Sequence, residues 1–229
     1  MEIKQSTLYV VATPIGNLED ITYRAVQVLK DVDIIVCEDT RVSGILLERY
    51  GIPKKIMIAH YKQREAETIA PVLNYLREGK SIALISDAGT PGISDPGHFL
   101  VSEVVRAGFP VEPVPGPSAA TALLSVSHIP NTHFYFEGFL PHKKGRQTRL
   151  RYLSGLDCGV VFYESTHRIL KFLDELKEHF GERGILIGRE LTKMHETLFR
   201  GTVSEAVRYF GEHSTKGEFV IYIHGKTGS

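Results

Sequence analysis

The stretch Ile82-Ala83-Leu84-Ile85-Ser86-Asp87-Ala88-Gly89-Thr90-Pro91-Gly92-Ile93-Ser94-Asp95-Pro96-Gly97 decides the fold. It opens with four apolar residues, the pattern of a strand buried on both faces. It then breaks into small residues, prolines, glycines and two aspartates. Ala88, Gly89 and Gly92 leave little between the main chain and a ligand. Asp87 falls at the carboxyl end of the strand, where open parallel sheets hold their ligands. The segment therefore reads as a ligand loop, set against the plainer reading of a turn-rich link to a helix starting at Gly97.

The pattern repeats on either side. Strands are expected at Thr7–Ala12, Asp33–Cys37, Lys55–Ala59, Ser81–Ile85 and Val111–Val114. Helices are expected at Thr22–Leu29, Ser43–Tyr50, Arg64–Arg77, Gly97–Ala107 and Ser118–Val126, from apolar residues at helical spacing. Pro71 leaves a kink or a later start open for the third helix. Strand and helix alternating five times gives a parallel sheet with helices on both faces.

Polar residues follow every strand: Thr13-Pro14-Ile15-Gly16-Asn17, Glu38-Asp39-Thr40-Arg41, His60-Tyr61-Lys62, Ser86-Asp87-Ala88-Gly89 and Pro115-Gly116-Pro117-Ser118-Ala119. All lie on one edge of the sheet, the edge where such folds build active sites.

Beyond a linker at Ser127–Asn131 the pattern changes. Strands are expected at Phe134–Leu140, Cys158–Glu164, Gly184–Arg189 and Phe219–Ile223, with helices at Ile169–Phe180 and Val203–Phe210. This is a smaller α+β domain with a mixed sheet. The chain thus reads as a two-domain α/β protein, residues 1–127 and 132–226, with a small-molecule site in its cleft.

Between the first two of these strands lie five cations in nine positions, Lys143, Lys144, Arg146, Arg149 and Arg151. They read either as a solvated loop and helix start or as an arm that contacts nucleic-acid phosphates.

Composition narrows the function further. Lys plus Arg and Asp plus Glu each number 27, so a charged partner must meet a local patch. Apolar content of 42% suffices for a packed core. Two separated cysteines, Cys37 and Cys158, make no disulfide scaffold or metal framework and fit a reducing compartment. No apolar run approaches the roughly 20 residues of a membrane span, and residues 1–6 lack a signal-peptide core. Phosphate-binding Walker loop, zinc-spaced Cys/His set, nucleophile elbow and dinucleotide fingerprint are all missing. His60 and His167 read as surface or capping groups. The chain is expected to be cytoplasmic, with no membrane partner and no metal.

Several of these segments resemble the tetrapyrrole methylase superfamily, and more closely its ribosomal small subunit methyltransferase I family. They are Ala12–Ile21, Cys37–Arg41, Ser86–Gly97, Val114–Ala119, Phe136–Pro141, Tyr163–Arg168 and Gly188–Lys193. The resemblance runs through nearly the whole chain in order. It implies a two-domain tetrapyrrole-methylase-like fold, a homodimer, and S-adenosylmethionine folded between the domains. It implies 2′-O-methylation of a cytidine in the decoding region of small-subunit ribosomal RNA, free or in the assembled subunit.

By position in the motifs, Pro14 would lie by the cofactor, and Asp87, Ala88, Gly89 and Ile93 would hold its amino-acid end. Ser118 and Ala119 would line the cleft, and Phe162, Tyr163 and Leu191 would face the adenine. Glu38, Asp39, Arg41 and His60 would point to the substrate entrance. Asp39 or Glu38 would take the hydroxyl proton and Arg41 would meet an RNA phosphate.

Three features depart from the family pattern. Thr166 stands where proline is usual. The superfamily's glycine-rich first loop is replaced, which disfavours corrin and porphyrin precursors. The last strand is followed closely by the chain end, with Thr227-Gly228-Ser229 as a tail, short of an extension many relatives carry. A methylase of another acceptor, a tetrapyrrole or a modified protein side chain, is the alternative enzyme. A cofactor-binding module that recruits RNA without modifying it is the alternative outside catalysis.

Overall fold

The computed structural model describes residues 2–130 and 132–226 of the 229-residue chain. The expected tail, and Asn131 of the expected linker, lie outside the described residues. The chain divides into two compact units between Ser118 and Ala119.

In the first unit, β1 (Leu8–Val11), β2 (Ile34–Cys37), β3 (Ile56–Ala59), β4 (Ile82–Ile85) and β5 (Val111–Val114) form one sheet in the order β3-β2-β4-β1-β5. Every pairing is parallel. The crossovers are α1 (Tyr23–Asp31), α2 (Thr40–Arg49), α3 (Glu65–Arg77) and α4 (His98–Arg106).

Alternation sorts the strand residues onto two faces. Tyr9, Val11, Ile35, Cys37, Ala83 and Ile85 pack with Val28 and Leu29 of α1 and Leu47 of α2. Leu8, Ile34, Val36, Ile82 and Leu84 pack with Val72 and Leu76 of α3 and Leu100 and Val104 of α4. The chain order reverses between β1 and β4, so their carboxyl ends flank the crevice that doubly wound sheets use for ligands.

Two boundaries differ from the sequence reading. Helix α2 begins at Thr40 rather than Ser43, because the Asp39 carboxylate caps it by accepting from the Arg41 backbone N–H at 2.8 Å. Helix α3 begins at Glu65 and runs through Pro71, with no later start.

In the second unit, β6 (Phe134–Phe139), β7 (Gly159–Ser165), β8 (Gly184–Arg189), β9 (Thr197–Thr202) and β10 (Glu218–Ile223) form a sheet in the order β6-β7-β10-β8-β9. Strands β6 and β7 are parallel and the other pairs antiparallel, so the sheet is mixed. One face carries α6 (Arg146–Ser154), α7 (Ile169–Phe180) and α8 (Val203–Glu212); Leu150, Phe172, Leu173 and Phe210 fill the core there. The other face carries α5 (Ala119–Ser125).

Helix α5 groups with this unit because Ala120, Leu123 and Leu124 pack on Val161, Leu186 and Tyr222. The contacts therefore divide the chain ahead of α5, and Ser127–Pro130 falls inside the second unit. Strand β9 escaped the sequence reading because it is a half-exposed edge strand without clean alternation. Thr166, in the place of the usual proline, ties its turn to β10 instead. Its hydroxyl donates to the Gly217 carbonyl at 2.7 Å and accepts from the Gly217 N–H at 2.6 Å.

Gly159 starts β7 directly under Tyr222, so an added Cβ would collide with that ring. The ring cannot swing away without losing the hydrogen bond from its hydroxyl to the Pro130 carbonyl, 2.6 Å. Gly159→Ala is expected to destabilise the fold by about 1–3 kcal/mol, read as a lower urea midpoint at unchanged slope.

Candidate active site

The first unit's sheet edge is organised by register. Cys37 pairs with Ile85, so in-phase continuation sets Glu38 beside Ser86 and Asp39 beside Asp87. The Asp39 backbone N–H donates to Asp87 Oδ1 at 3.1 Å. Three carboxylates therefore crowd two adjacent strand ends, and their environments separate them.

Asp39 is clamped by the Arg41 guanidinium, with Nε donating to Oδ1 at 3.1 Å and an η nitrogen to Oδ2 at 2.7 Å. These hydrogen bonds and the helix-cap N–H hold its pKa at about 2. Glu38 moves the other way: burial raises its pKa and the nearby Asp87 charge adds to the rise. Burial likewise raises Asp87. One site thus holds a carboxylate locked in the charged form and two that welcome either a proton or a cation.

Loops close the rim around them. Thr13 and Gly89 exchange both backbone hydrogen bonds, at 2.8 and 3.1 Å, across the carboxyl ends of β1 and β4. Gly89 keeps φ at +77° to make that turn. Its backbone N–H and carbonyl are both engaged by Thr13, so it shapes the rim rather than offering a polar ligand contact. Ala88 is exposed, and its carbonyl accepts from the Ser86 hydroxyl at 3.3 Å. Ile93 projects from the loop, exposed, beside Ser94 in the left-handed region at φ +66°. Pro14 is buried and lines a cavity of about 120 Å³ with Leu18, Val42, Ile45 and Asp87.

His60 lies elsewhere than expected. It is buried against α3 rather than set at the surface or an entrance. The Thr68 hydroxyl donates to the Glu65 carbonyl at 2.9 Å, so its 2.5 Å contact to His60 requires Nδ1–H to be the donor. Burial lowers the His60 pKa, so the ring is neutral at pH 7 and anchors the start of α3 to β3. Ser118 and Ala119, half-buried, sit where the chain passes from one unit to the next.

In the second unit Tyr163 and Leu191 are half-buried on the α5 face of the sheet. Phe162 points to the opposite face. Its ring packs edge-on against Phe172 and Phe180 inside the core, which corrects the expectation that it faces a ligand.

The basic segment also needs correcting, because two of its three arginines turn inward. Arg146 is buried and bidentate to Glu175, with Nε and an η nitrogen 2.8 and 2.7 Å from Oε2, and lies 3.6 Å from Glu164. Arg149 is bidentate to Glu137, donates to the Tyr135 hydroxyl at 2.6 Å, and lies over the Tyr135 and Tyr152 rings. Arg168 closes the cluster at 2.7 Å from Glu164. Lys143, Lys144 and Arg151 remain exposed. The signal for this division was present: Glu137 and Glu164 stand in quoted motifs, and buried carboxylates require cationic partners. Ser43 of the cavity gave no signal, since a serine within an amphipathic helix reads as ordinary.

Among the described residues no group of three or more His, Cys, Asp or Glu is placed to hold a metal ion, and no helix is long and apolar enough to cross a membrane.

Glu175→Ala would leave Arg146 buried without its main partner and is expected to cost about 3–5 kcal/mol. Lys143→Ala with Lys144→Ala should stay within about 0.5 kcal/mol of wild type. Denaturant unfolding of the three proteins separates anchors from free cations.

Comparison with known proteins agrees with this architecture. The family profile for tetrapyrrole (corrin/porphyrin) methylases matches residues 7–207. A Thermotoga maritima protein named ribosomal RNA small subunit methyltransferase I is 46% identical over 96% of this chain and 98% of its own length. An Escherichia coli O157:H7 protein of the same name is 45% identical over 96% of this chain and 78% of its own. Among solved structures, diphthine synthase superposes with a TM-score of 0.75 at 13% identity, covering 97% of this chain and 91% of that one. The uroporphyrin-III C-methyl transferase of Thermus thermophilus, complexed with S-adenosyl homocysteine, gives 0.67 at 19% identity, covering 96% and 97%. At those identities the structural likeness speaks for the fold.

Proposed function

The chain belongs to the tetrapyrrole methylases and, within them, to the ribosomal RNA small subunit methyltransferase I family, and from that premise we propose that it methylates the ribose 2′-hydroxyl of a cytidine in the decoding region of small-subunit ribosomal RNA. The full-length likeness to relatives bearing that name carries the reading. The reading makes the protein a cytoplasmic, homodimeric enzyme that acts on the RNA or on the assembled subunit.

The methyl donor is S-adenosylmethionine, and the edge of the first sheet fits it chemically. Burial raises the pKa of both Glu38 and Asp87, the Asp87 charge adds to the rise at Glu38 and the Asp39 charge to that at Asp87, an arrangement that a cation relieves. Pro14, Asp87, Ala88 and Ile93 would hold the donor on this unit, with Gly89 keeping the turn that exposes the loop's main chain. The family pattern adds Ser118, Ala119, Tyr163 and Leu191, and Phe162 only through its backbone. Bound there, the donor supplies an electrophilic methyl carbon on a sulfonium.

The chain's own groups supply position and a proton acceptor. Glu38 takes that role in preference to Asp39. A base with a pKa near 2, with both oxygens clamped by Arg41, has little drive to accept a hydroxyl proton. Arg41, its side chain 89% exposed, reaches outward while paired and meets an RNA phosphate. Lys143, Lys144 and Arg151 of the second unit also contact RNA phosphates, and Arg146 and Arg149 hold the segment that presents them.

The test is methyl transfer from labelled S-adenosylmethionine to unmethylated small ribosomal subunits, followed by nucleoside analysis. Label in 2′-O-methylcytidine is expected, and label on a base carbon or in no nucleoside contradicts the reading. Glu38→Gln should slow the single-turnover rate by about 10²–10⁴-fold, and Asp39→Asn should slow it far less.

A further inference from the structure

One side chain of α6 has no role in methyl transfer and none in the core. Tyr152 is 54% exposed, the only large apolar side chain that this helix leaves in water. The Arg149 guanidinium lies over its ring, 5.0 Å from the centroid, within the range of a cation–π contact. That guanidinium is itself fixed. It is bidentate to Glu137, with Nε and an η nitrogen 2.9 and 2.6 Å from Oε2, and it donates to the Tyr135 hydroxyl at 2.6 Å. Tyr152 is thus an exposed aromatic ring held in place by an anchored cation.

The surroundings of the ring are cationic. Between Glu137 and Asp157 the chain carries five Lys or Arg and no acidic residue. Arg146 and Arg149 are spent on Glu175 and Glu137. The exposed Lys143 and Lys144 stand just ahead of the first turn of α6, and the exposed Arg151 is the chain neighbour of Tyr152. Cations beside an exposed ring suit single-stranded nucleic acid, whose backbone meets the charges while a base stacks on the ring. A duplex keeps its base faces in its own stack and gains nothing from the ring. With no second large apolar side chain exposed on α6, the helix offers no apolar face to a lipid surface or a partner helix.

We propose that Tyr152 is a stacking platform for one unpaired base of the RNA substrate. The inference rests on the RNA methylation reading above and adds what the basic segment recognises, an unpaired base as well as phosphates. Arg149 orients the ring before RNA arrives, so little side-chain freedom is lost when a base stacks. Stacking engages a π-face and reads no hydrogen-bonding edge, so the platform accepts any base. It sorts single-stranded from duplex RNA and leaves the choice of sequence to other contacts.

The test is binding of a short oligocytidylate and of an abasic ribose-phosphate oligomer of the same length, read by fluorescence anisotropy over a salt series. Tyr152→Ala should weaken oligocytidylate binding about fivefold or more and leave binding of the abasic oligomer unchanged. Tyr152→Phe should bind both as wild type does, because stacking needs the ring and not the hydroxyl. Joint replacement of Lys143, Lys144 and Arg151 by alanine should weaken both oligomers alike and flatten the salt dependence. The platform is wrong if Tyr152→Ala binds oligocytidylate as wild type does, if it loses affinity equally for both oligomers, or if wild type binds no oligocytidylate. Methyl transfer to small ribosomal subunits by the same wild-type protein then decides separately whether the RNA methylation reading stands.

Discussion

The parallel, in-register pairing of β2 with β4 is the constraint on which the site depends. It holds two strand ends side by side, and each end carries acidic residues. Parallel strands require crossover helices, which bury both faces and leave only the carboxyl edge for polar chemistry. Crowding then differentiates the carboxylates. Asp39 escapes by capping α2 and clamping Arg41, whereas burial and neighbouring negative charge raise the pKa of Glu38 and Asp87. A sheet paired one residue out of step would turn Glu38 to the other face and undo this arrangement.

The second unit handles charge differently. Glu137, Glu164 and Glu175 meet Arg146, Arg149 and Arg168 in one cluster of three carboxylates and three guanidinium groups. Buried ion pairs add little net stability, but removing one partner is expensive, which fixes the geometry around them. The Pro141 carbonyl accepts from Arg146 at 3.2 Å, so the turn bearing Lys143 and Lys144 is tied to the same cluster. A segment that looks like a uniform basic arm is an anchored turn with three outward cations.

Much of this was legible in the sequence. Buried parallel strands announce themselves as apolar runs, and β1 to β5 fall where those runs lie. The convergence of Asp39, Asp87 and Thr13 on one edge follows from topology alone. Direction of side chains was less legible. Phe162 and Tyr163 are neighbours in one motif, yet alternation sends the first into the core and leaves the second half-buried on the other face. Arg146 and Lys144 are equally basic, but only the fold decides which one finds a carboxylate. His60 looked like a surface group because its partner, Thr68, lies a helical turn into the next element. Strand β9 carries no pattern that periodicity can detect.

The central physical claim is that the first sheet's edge is a cation site built from carboxylates whose pKa values burial has raised. Carbon-13 NMR titration of the Glu38 and Asp87 carboxyls, with and without S-adenosylmethionine, tests it most directly. The free protein should show both above the ordinary carboxylate range. Binding should lower them, so that affinity grows as pH rises through the elevated values and levels off beyond. Carboxyls that titrate normally in the free protein, or that do not move on binding, would contradict the account.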